Sequence, residues 1–408
     1  MLSLNTPYSL NNGVTIKNRI VKSAMSEQLG NRRHDPGTNV RNLYRRWALG
    51  GAALCITGHI MVDRHALSEP GNIVLDELSD RTAFSDWAKA ATDNHTHIWP
   101  QLNHPGKQSP NFLSSEPLAP SAIPLKGSVG TNFRMPRAMT EAEIHHVIEK
   151  FATSAKLAKE LGFTGVQIHG AHGYLINQFL SPRHNHRQDQ WGGCLDNRMR
   201  FLIEVYRAIR HTVGKGFPVA LKLNSADFMK GGFTEEESMQ VVKTLANEGV
   251  DLIEISGGSY EKVAFIDGKP QKESTRQREA YFLDYAENVR KITNIPLLVT
   301  GGFRSQQAMA SALNSQATDF IGLARALAID PDFPNKLLHQ HNSDIEIPAR
   351  STGLRLLDRM VMIDVLWYQQ QMIRIANNLE PKPNMSEWIA LWHSLRAIGL
   401  HAFRRLRA

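Results

Sequence analysis

Short apolar stretches alternate with amphipathic stretches along most of this chain. The apolar stretches have the length and β-branched content of buried strands, and the amphipathic ones repeat their apolar positions at helical spacing. Eight strands are predicted: one begins at Gly165, and the others span residues 18–25, 52–62, 97–104, 219–224, 251–258, 296–302 and 319–326.

This alternation predicts an α/β fold. Strands that alternate with helices imply right-handed crossovers and a parallel sheet, and eight of them indicate a closed (β/α)8 TIM barrel rather than an open sheet. We assign residues 1–347 to the barrel. Residues 348–408 are predicted to form a C-terminal helical extension of two helices, which the prolines of 380–383 separate.

The cysteine count and the amino terminus narrow the cellular context. The 408 residues include two cysteines, too few for a disulfide framework or a four-cysteine metal site. The amino terminus lacks the charged start and apolar core of a signal peptide, and no run of 18 apolar residues occurs. We therefore expect a cytoplasmic protein.

The net charge is +8, and much of it lies in the extension. Residues 350–408 contain nine Lys and Arg against four Asp and Glu. Nucleic-acid binding would require a recognisable binding motif beside such charge, and the sequence has none. A basic surface that attracts anionic ligands is the better interpretation.

One stretch concentrates polar side chains immediately after a predicted strand. His169, His172 and Tyr174 lie within six positions of one another, at the kind of strand end where barrels keep their catalytic residues. Two histidines are an incomplete ligand set for a metal ion. As neutral donors they can instead hydrogen-bond one oxygen atom of a carbonyl or nitro group, with Tyr174 supplying a proton. A single histidine here would more often be structural, but the three residues together favour an active site.

Other predicted strand ends carry complementary chemistry. Gly301 and Gly302 close the seventh strand and Arg325 follows the eighth, where barrels often bind phosphate. Gln101 ends the third strand, and Lys222 lies inside the fifth. A buried lysine requires a partner, which is either a structural ion pair or an electron-rich ligand such as a flavin ring.

Two long loops are predicted near the strand ends. We expect Pro105–Ala138 to form a hairpin or lid over the barrel mouth. Ser259–Arg278 is rich in Lys and Arg, and it is either a solvated loop or part of the substrate entrance.

Two other functions fit parts of the sequence. A metal-dependent hydrolase or aldolase would use His169 and His172 as ligands, with His104 as the obvious third. A binding protein would act through the last helix, which can lie on an anionic membrane surface but would more often pack on its own barrel or on a partner subunit of a homo-oligomer. The residues that suggest this are Trp388, Ile389, Leu391, Trp392, Leu395, Ile398, Phe403, Arg404, Arg405 and Arg407.

Five separated blocks resemble the Old Yellow Enzyme family of FMN-dependent ene-reductases, the NADH:flavin oxidoreductases. The resemblance covers roughly residues 5–340, and the block around His169 is the most specific. The blocks are NRIVKSAM, QLNHPGK, IHGAHGYLINQFLSPRHNHRQDQWGG with DNRMRFL, VALKLN before GGFT, and VTGGF with IGLARALAIDPDFP.

The resemblance implies a ping-pong reductase that passes hydride from NADH or NADPH through FMN to the activated C=C bond of an α,β-unsaturated carbonyl or nitro compound. It also implies that His169 and His172 hold the substrate oxygen and that Tyr174 donates the proton. The FMN-binding residues that it implies are Ala24, Met25, Ser26, Gly58, Gln101, Lys222, Gly301, Gly302, Ala324 and Arg325.

Several positions depart from parts of the family. Ser26 stands where some members have Cys and others Thr, which bears on the flavin potential. Lys222 stands where many have Arg, and Ala324 replaces a usual Gly. Longer relatives that reduce dienoyl-CoA carry a cysteine cluster; with only Cys55 and Cys194, we expect no iron–sulfur relay here.

Overall fold

A computed structural model describes residues 3–126, 130–258, 279–340, 342–354, 357–358 and 361–405, with only the helical backbone given for 397–405. The loop Ser259–Arg278 therefore lies outside the described residues. So do the side chains of Ile398 and Phe403 and those of the arginines that follow them.

Eight parallel strands close into a barrel, which confirms the predicted (β/α)8 TIM fold. Numbered in chain order, these strands are β1 Ile20–Lys22, β2 Leu54–Met61, β3 His97–Asn103, β4 Val166–Gly170, β5 Val219–Asn224, β6 Leu252–Ser256, β7 Leu297–Thr300 and β8 Phe320–Leu323. Each strand pairs in parallel with the next one along the chain, and β8 pairs with β1 to close the barrel.

The barrel interior is layered, because side chains on a strand alternate between its two faces. The layer nearest the amino ends of the strands is apolar and includes Val21, Trp99, Ala220, Leu252, Leu298 and Phe320. Two positions further along five of the same strands lie Ser23, Gln101, Lys222, Glu254 and Thr300. The apolar layer separates this polar layer from solvent below, so its side chains must bond to one another or to a ligand.

Helices surround the barrel as the apolar periodicity predicts. The helices at Glu141–Glu160 and Glu235–Glu248 begin with the expected capping boxes, formed by Thr140 with Glu143 and by Thr234 with Glu237. The other helices are Thr38–Leu49, Arg81–Ala91, Leu175–Leu180, Leu195–Val213, Leu283–Arg290, Gln306–Asn314, Arg325–Ile329, Phe333–His339, Ile363–Ala376 and Glu387–Arg405, with short 3-10 turns at Asp93–His95 and Gly130–Asn132.

Short strands outside the barrel cover its two ends. Tyr8–Ser9 pairs antiparallel with Thr15–Ile16, and Ile16 joins the apolar layer. In the loop after β3, Leu118–Ala119 pairs in parallel with Arg137–Ala138. These two strands therefore do not form the expected hairpin, because a hairpin requires antiparallel neighbours. The lid, the other expectation for this loop, stays a prediction. A further two-residue strand, Ile73–Val74, pairs with β2.

The first helix of the C-terminal extension, Ile363–Ala376, packs against Thr38–Leu49 and Arg325–Ile329 of the barrel. Its Trp367 is fully buried; the Trp367 indole N–H donates to the backbone oxygen of Met385 at 2.9 Å. The Arg350 guanidinium lies 3.6 Å from the centroid of the Trp367 ring. The helix packing joins the extension to the barrel, whereas the two Trp367 contacts join parts of the extension to one another. The division at residue 347 stays a prediction.

The last helix, Glu387–Arg405, packs on its own chain through one face. Ala390, Leu391 and Ser394 are buried, and Ser394 accepts a hydrogen bond from Gln370 at 3.2 Å. The outward face also carries apolar residues, which are exposed: Trp388, Ile389, Trp392 and Leu395.

Across the described residues, every helix is too short or too polar to span a bilayer.

Replacement of Trp367 by Ala should lower the free energy of unfolding by about 3–5 kcal/mol, because it removes a large buried side chain and leaves a cavity. Urea unfolding monitored by circular dichroism measures the loss. Trp392, which is 56% exposed on the last helix, provides the matched control: Trp392→Ala should change the free energy by no more than about 0.5 kcal/mol. Similar losses in the two variants would contradict the packing described for the extension.

Candidate active site

A buried carboxylate, that of Glu254, connects the polar layer. Its Oε1 accepts hydrogen bonds from Lys222 Nζ at 3.0 Å and from Thr300 Oγ1 at 2.7 Å, and its Oε2 accepts one from Gln167 Nε2 at 2.8 Å. Gln167 Oε1 in turn accepts from Gln101 Nε2 at 2.7 Å. Glu254 is fully buried, so these bonds offset the cost of removing its charge from water. The ion pair considered for Lys222 is present, and sequence reasoning missed its partner.

Four rings meet beside this network. His169 is the register partner of Lys222 on the neighbouring strand. The centroid of its ring lies 5.2 Å from that of His172 and 4.9 Å from that of Tyr174. His59 of β2 completes the group, with its ring 5.5 Å from Tyr174. The structure thus brings together the three predicted residues and adds a fourth that the sequence did not indicate.

Both predicted histidines are neutral near pH 7. Burial lowers the pKa of His169 well below its ordinary value, and the neighbouring His172, Lys222 and His59 lower it further. Burial, followed by Lys222 and His59, lowers the pKa of His172 in the same way. Neutral imidazoles keep one N–H donor each, so these rings can hydrogen-bond an oxygen without carrying a full charge.

A backbone hydrogen bond fixes which nitrogen of His169 can donate, and a contact with a hydroxyl holds the His172 ring in place. The Ala171 backbone N–H donates to His169 Nδ1 at 3.3 Å. Because a neutral imidazole has one acceptor and one donor, Nε2 of His169 carries the proton. Nε2 of His172 lies 2.6 Å from the Ser256 hydroxyl, which holds that ring against β6.

An unusual backbone conformation directs Tyr174 toward the histidines. His172 has φ of 61° and Gly173 has φ of 78°, and the left-handed region is sparsely populated by residues other than glycine. The His172 backbone is held there from both sides: its N–H donates to Asn224 Oδ1 at 3.2 Å, and its carbonyl accepts from Gln108 Nε2 at 2.9 Å. Tyr174 then becomes the N-cap of the following short helix and is 3% exposed.

Ala24, Met25 and Ser26 follow β1 and are half-buried. The Ser26 hydroxyl donates to Glu69, and a Glu69 carboxylate oxygen lies 3.5 Å from His59 Nε2. Burial raises the pKa of Glu69, but its bonds to His59 and Ser26 outweigh burial and leave that pKa below its ordinary value. Ser26 is thus linked to the ring group through a carboxylate, a link for which the sequence carries no motif.

Gly58 lies in β2 against a second buried ion pair. Glu27 Oε1 accepts from the Gly58 backbone N–H at 3.0 Å and from Lys22 Nζ at 3.3 Å. Lys22 also donates to the Ile56 carbonyl at 2.9 Å and lies 4.4 Å from a Trp47 ring centroid. A Cβ on residue 58 would lie 2.4 Å from the Met25 backbone oxygen, so only glycine fits. The sequence signal that could have revealed this ion pair was Lys22, a charged residue inside a predicted strand.

The expected phosphate-binding residues also lie at the carboxyl ends of strands. Gly301 and Gly302 follow β7 with φ of 107° and 102°, and a Cβ on Gly302 would lie 1.6 Å from a backbone oxygen. Ala324 and Arg325 follow β8. The Arg325 guanidinium lies 5.9 Å from the ring centroid of Tyr368 in the C-terminal extension.

The metal-site alternative finds no support in the described part of the chain. No group of three or more His, Cys, Asp or Glu side chains is arranged there to hold a metal ion. His104, the candidate third ligand, is buried, and its Nδ1 accepts from the Gly106 backbone N–H at 3.1 Å.

Glu254→Ala should destabilise the protein by about 3–5 kcal/mol, because it leaves the buried Lys222 without its counter-charge. Equilibrium unfolding in urea measures the change. Glu248→Ala is the control: its pair with the half-exposed Arg207 should contribute about 1 kcal/mol or less. A loss no larger than the control's would contradict the central role of Glu254.

Stability should fall on acidification from pH 7 to pH 5. Burial lowers the pKa of His104 to about 4, so the unfolded chain binds a proton near pH 6.5 that the folded chain does not. Each such histidine lowers the free energy of unfolding by up to about 1.4 kcal/mol per pH unit between pH 7 and pH 5. His104→Asn should reduce the slope of unfolding free energy against pH by about that amount, measured by urea unfolding at pH 7, 6 and 5. The same replacement of exposed His65 is the control; equal slopes in both variants would reject the assignment.

The comparisons with known proteins agree with this geometry. The model of the NADH:flavin oxidoreductase / NADH oxidase family matches residues 3–344. The NADH-dependent flavin oxidoreductase iliE of Hypocrea jecorina is 37% identical over 362 residues, which span 83% of this chain and 90% of that protein.

Two solved structures share the fold. A 2-naphthoyl-CoA reductase in complex with 2-naphthoyl-CoA superposes with a TM-score of 0.75 at 25% identity, over 82% of this chain and 52% of that one. An old yellow enzyme homologue from Zymomonas mobilis gives a TM-score of 0.73 at 25% identity, over 85% and 95% of the two chains. This chain therefore spans about half the length of the first and nearly all of the second.

The family match covers most of the chain, and the residues expected at an FMN site lie together at one end of the barrel. This protein belongs to the NADH:flavin oxidoreductase / NADH oxidase family and is an FMN-dependent oxidoreductase that takes hydride from a nicotinamide nucleotide.

Proposed function

We propose that this oxidoreductase reduces the activated C=C bond of α,β-unsaturated carbonyl or nitro compounds in a ping-pong reaction, with NADH or NADPH as the hydride donor. The observation that carries the proposal is the group formed by His169, His172 and Tyr174 beside Lys222. Two neutral donors, one proton donor and a nearby cation are the groups that such a reduction requires.

The residues at the barrel mouth fit FMN at both of its ends. Gly301 and Gly302 allow close approach of backbone N–H groups to a phosphate, and Arg325 supplies a cation. Gln101 and Lys222 suit the polar edge of the flavin ring, where a cation favours the reduced form. Bound FMN would supply the two-electron redox chemistry that links the nicotinamide to the alkene. The remaining proposed FMN contacts are Ala24, Met25, Ser26, Gly58 and Ala324.

His169 and His172 are proposed to hold the electron-withdrawing oxygen of the substrate. Negative charge accumulates on that oxygen during reduction, and preorganised donors in a site shielded from water stabilise it strongly. His169 presents Nε2–H, since its Nδ1 is already an acceptor. The bond to Ser256 holds the His172 ring in place before substrate arrives.

Tyr174 is proposed to protonate the α carbon. Its phenol is buried and lies against the rings of both His169 and His59. Burial excludes bulk water as a competing acid, so a side chain must supply the proton. The left-handed turn at His172 places this phenol on the side of the histidines.

Tyr174→Phe should slow alkene reduction by about 100-fold or more, because a positioned acid contributes roughly 10²–10⁴ in rate. Reduction of the flavin by NADH should stay within about twofold, since that half-reaction needs no proton from Tyr174. Stopped-flow absorbance follows each half-reaction separately, with 2-cyclohexenone and a nitroalkene as oxidants.

Tyr206→Phe is the matched control for that experiment. The Tyr206 hydroxyl donates to the Glu248 carbonyl at 3.1 Å on the outer helices, away from the strand ends that carry the site. This variant should retain both half-reactions. An equal loss of both half-reactions in Tyr174→Phe would reject Tyr174 as the proton donor.

A further inference from the structure

A cleft of about 290 Å3 opens at the carboxyl end of the barrel, between the loops that follow β3, β4 and β5. Five of its lining residues are basic or imidazole side chains, and its described lining contains no aspartate or glutamate. These five residues, which we call the basic cleft, are Lys126, Arg183, His184, His186 and Lys230.

A buried lysine adds to the positive potential below the cleft. Lys107 is 1% exposed, and its Nζ donates to His184 Nδ1 at 2.9 Å and to the Ile123 carbonyl at 3.0 Å. Burial, followed by the charges of Lys107 and Arg183, lowers the pKa of His184 to about 3. His184 is therefore neutral, and because its Nδ1 accepts from Lys107, its Nε2 carries a proton that can be donated.

A short helical segment links the basic cleft to Tyr174. Arg183 follows Tyr174 by nine residues, and the helix Leu175–Leu180 between them is about 9 Å long. Gln178 of this helix donates its backbone N–H to the Tyr174 carbonyl at 2.8 Å and accepts from the Lys107 backbone N–H at 3.2 Å. The same helix thus contacts both Tyr174 and the Lys107 segment, whose side chain bonds to His184 of the basic cleft.

We propose that the basic cleft binds the diphosphate of a nucleotide-bearing ligand whose reactive end lies at Tyr174. Lysine, arginine and an imidazole N–H are the donors that phosphate oxygens prefer. A carboxylate in the lining would repel such a ligand, and the described lining has none. Small enones carry no phosphate, so the basic cleft points to a larger ligand.

Two ligands of the proposed reaction carry a nucleotide diphosphate. One is the nicotinamide nucleotide that donates hydride. The other is a coenzyme A thioester of an unsaturated acid, the chemistry named for the similar 2-naphthoyl-CoA reductase. Binding of a coenzyme A thioester rests on the proposed alkene reduction. Binding of the nicotinamide nucleotide requires only that it reduces the flavin.

The test uses full-length holoenzyme with the double substitution Lys126→Glu and Lys230→Glu, both at exposed positions. Lys291→Glu is the matched control, since this exposed lysine lies before β7 at the amino end of the barrel. Retained flavin absorbance and an unchanged Tm show that the variants fold. Arg183→Gln provides a second variant at the wall of the basic cleft.

Each experimental arm pairs a ligand that carries a diphosphate with one that lacks it. Flavin reduction is titrated with NADH and NADPH, and separately with 1-benzyl-1,4-dihydronicotinamide. Flavin reoxidation is titrated with crotonyl-CoA, and separately with S-ethyl thiocrotonate. A loss of about two- to fivefold in apparent affinity is expected for each cation removed, and about tenfold or more for the double reversal. The effect should diminish at high ionic strength.

The outcomes separate the two sources. Weaker NADH and NADPH binding alone assigns the basic cleft to the hydride donor, and weaker crotonyl-CoA binding alone assigns it to a thioester substrate. Unchanged affinity in both arms, or equal loss for the phosphate-free ligands, overturns the proposal. If neither thioester reoxidises the flavin in the wild-type protein, alkene reduction fails for such substrates, while the nicotinamide arm still tests the basic cleft.

Discussion

The carboxylate of Glu254 is the constraint on which this active site depends. It is fully buried in the barrel, and it accepts hydrogen bonds from residues of β4, β5 and β7. In a medium of low dielectric such a charge is stable only with a counter-charge and complete hydrogen bonding. Lys222 provides the charge, and Gln167 and Thr300 complete the bonding. The same requirement fixes Lys222 and Gln101 at one level of the barrel, which is where the flavin ring is proposed to bind.

Basic side chains lie both in this network and at the barrel rim. Burial lowers the pKa of both His169 and His172, and Lys222 lowers it further, so both rings are neutral near pH 7. Arg325 and the basic cleft place further cations at the mouth. The proposed anionic cofactor and the proposed diphosphate ligand would therefore be attracted to the same end of the barrel.

The C-terminal extension contacts residues of the proposed cofactor site. Gln369 donates to the Ser26 carbonyl at 3.3 Å, and Tyr368 lies beside Arg325. One helix of the extension thus contacts residues at both proposed ends of the cofactor. Within the extension, the buried Trp367 ring packs under the Arg350 guanidinium. The last helix follows on the outside and leaves Trp388 and Trp392 exposed.

The sequence by itself determined the barrel, because strands and helices have distinct apolar periodicities. It also located His169, His172 and Tyr174, because three polar residues at one strand end are unusual. It also indicated that Lys222 needs a partner. Only the tertiary structure decided that this partner is Glu254, 32 residues away, since a single acidic residue in an apolar strand carries no motif. The structure likewise added His59 and Glu69, and it showed which face of the last helix is buried. These contacts join residues distant in the chain, and periodicity reports only on neighbours within one element.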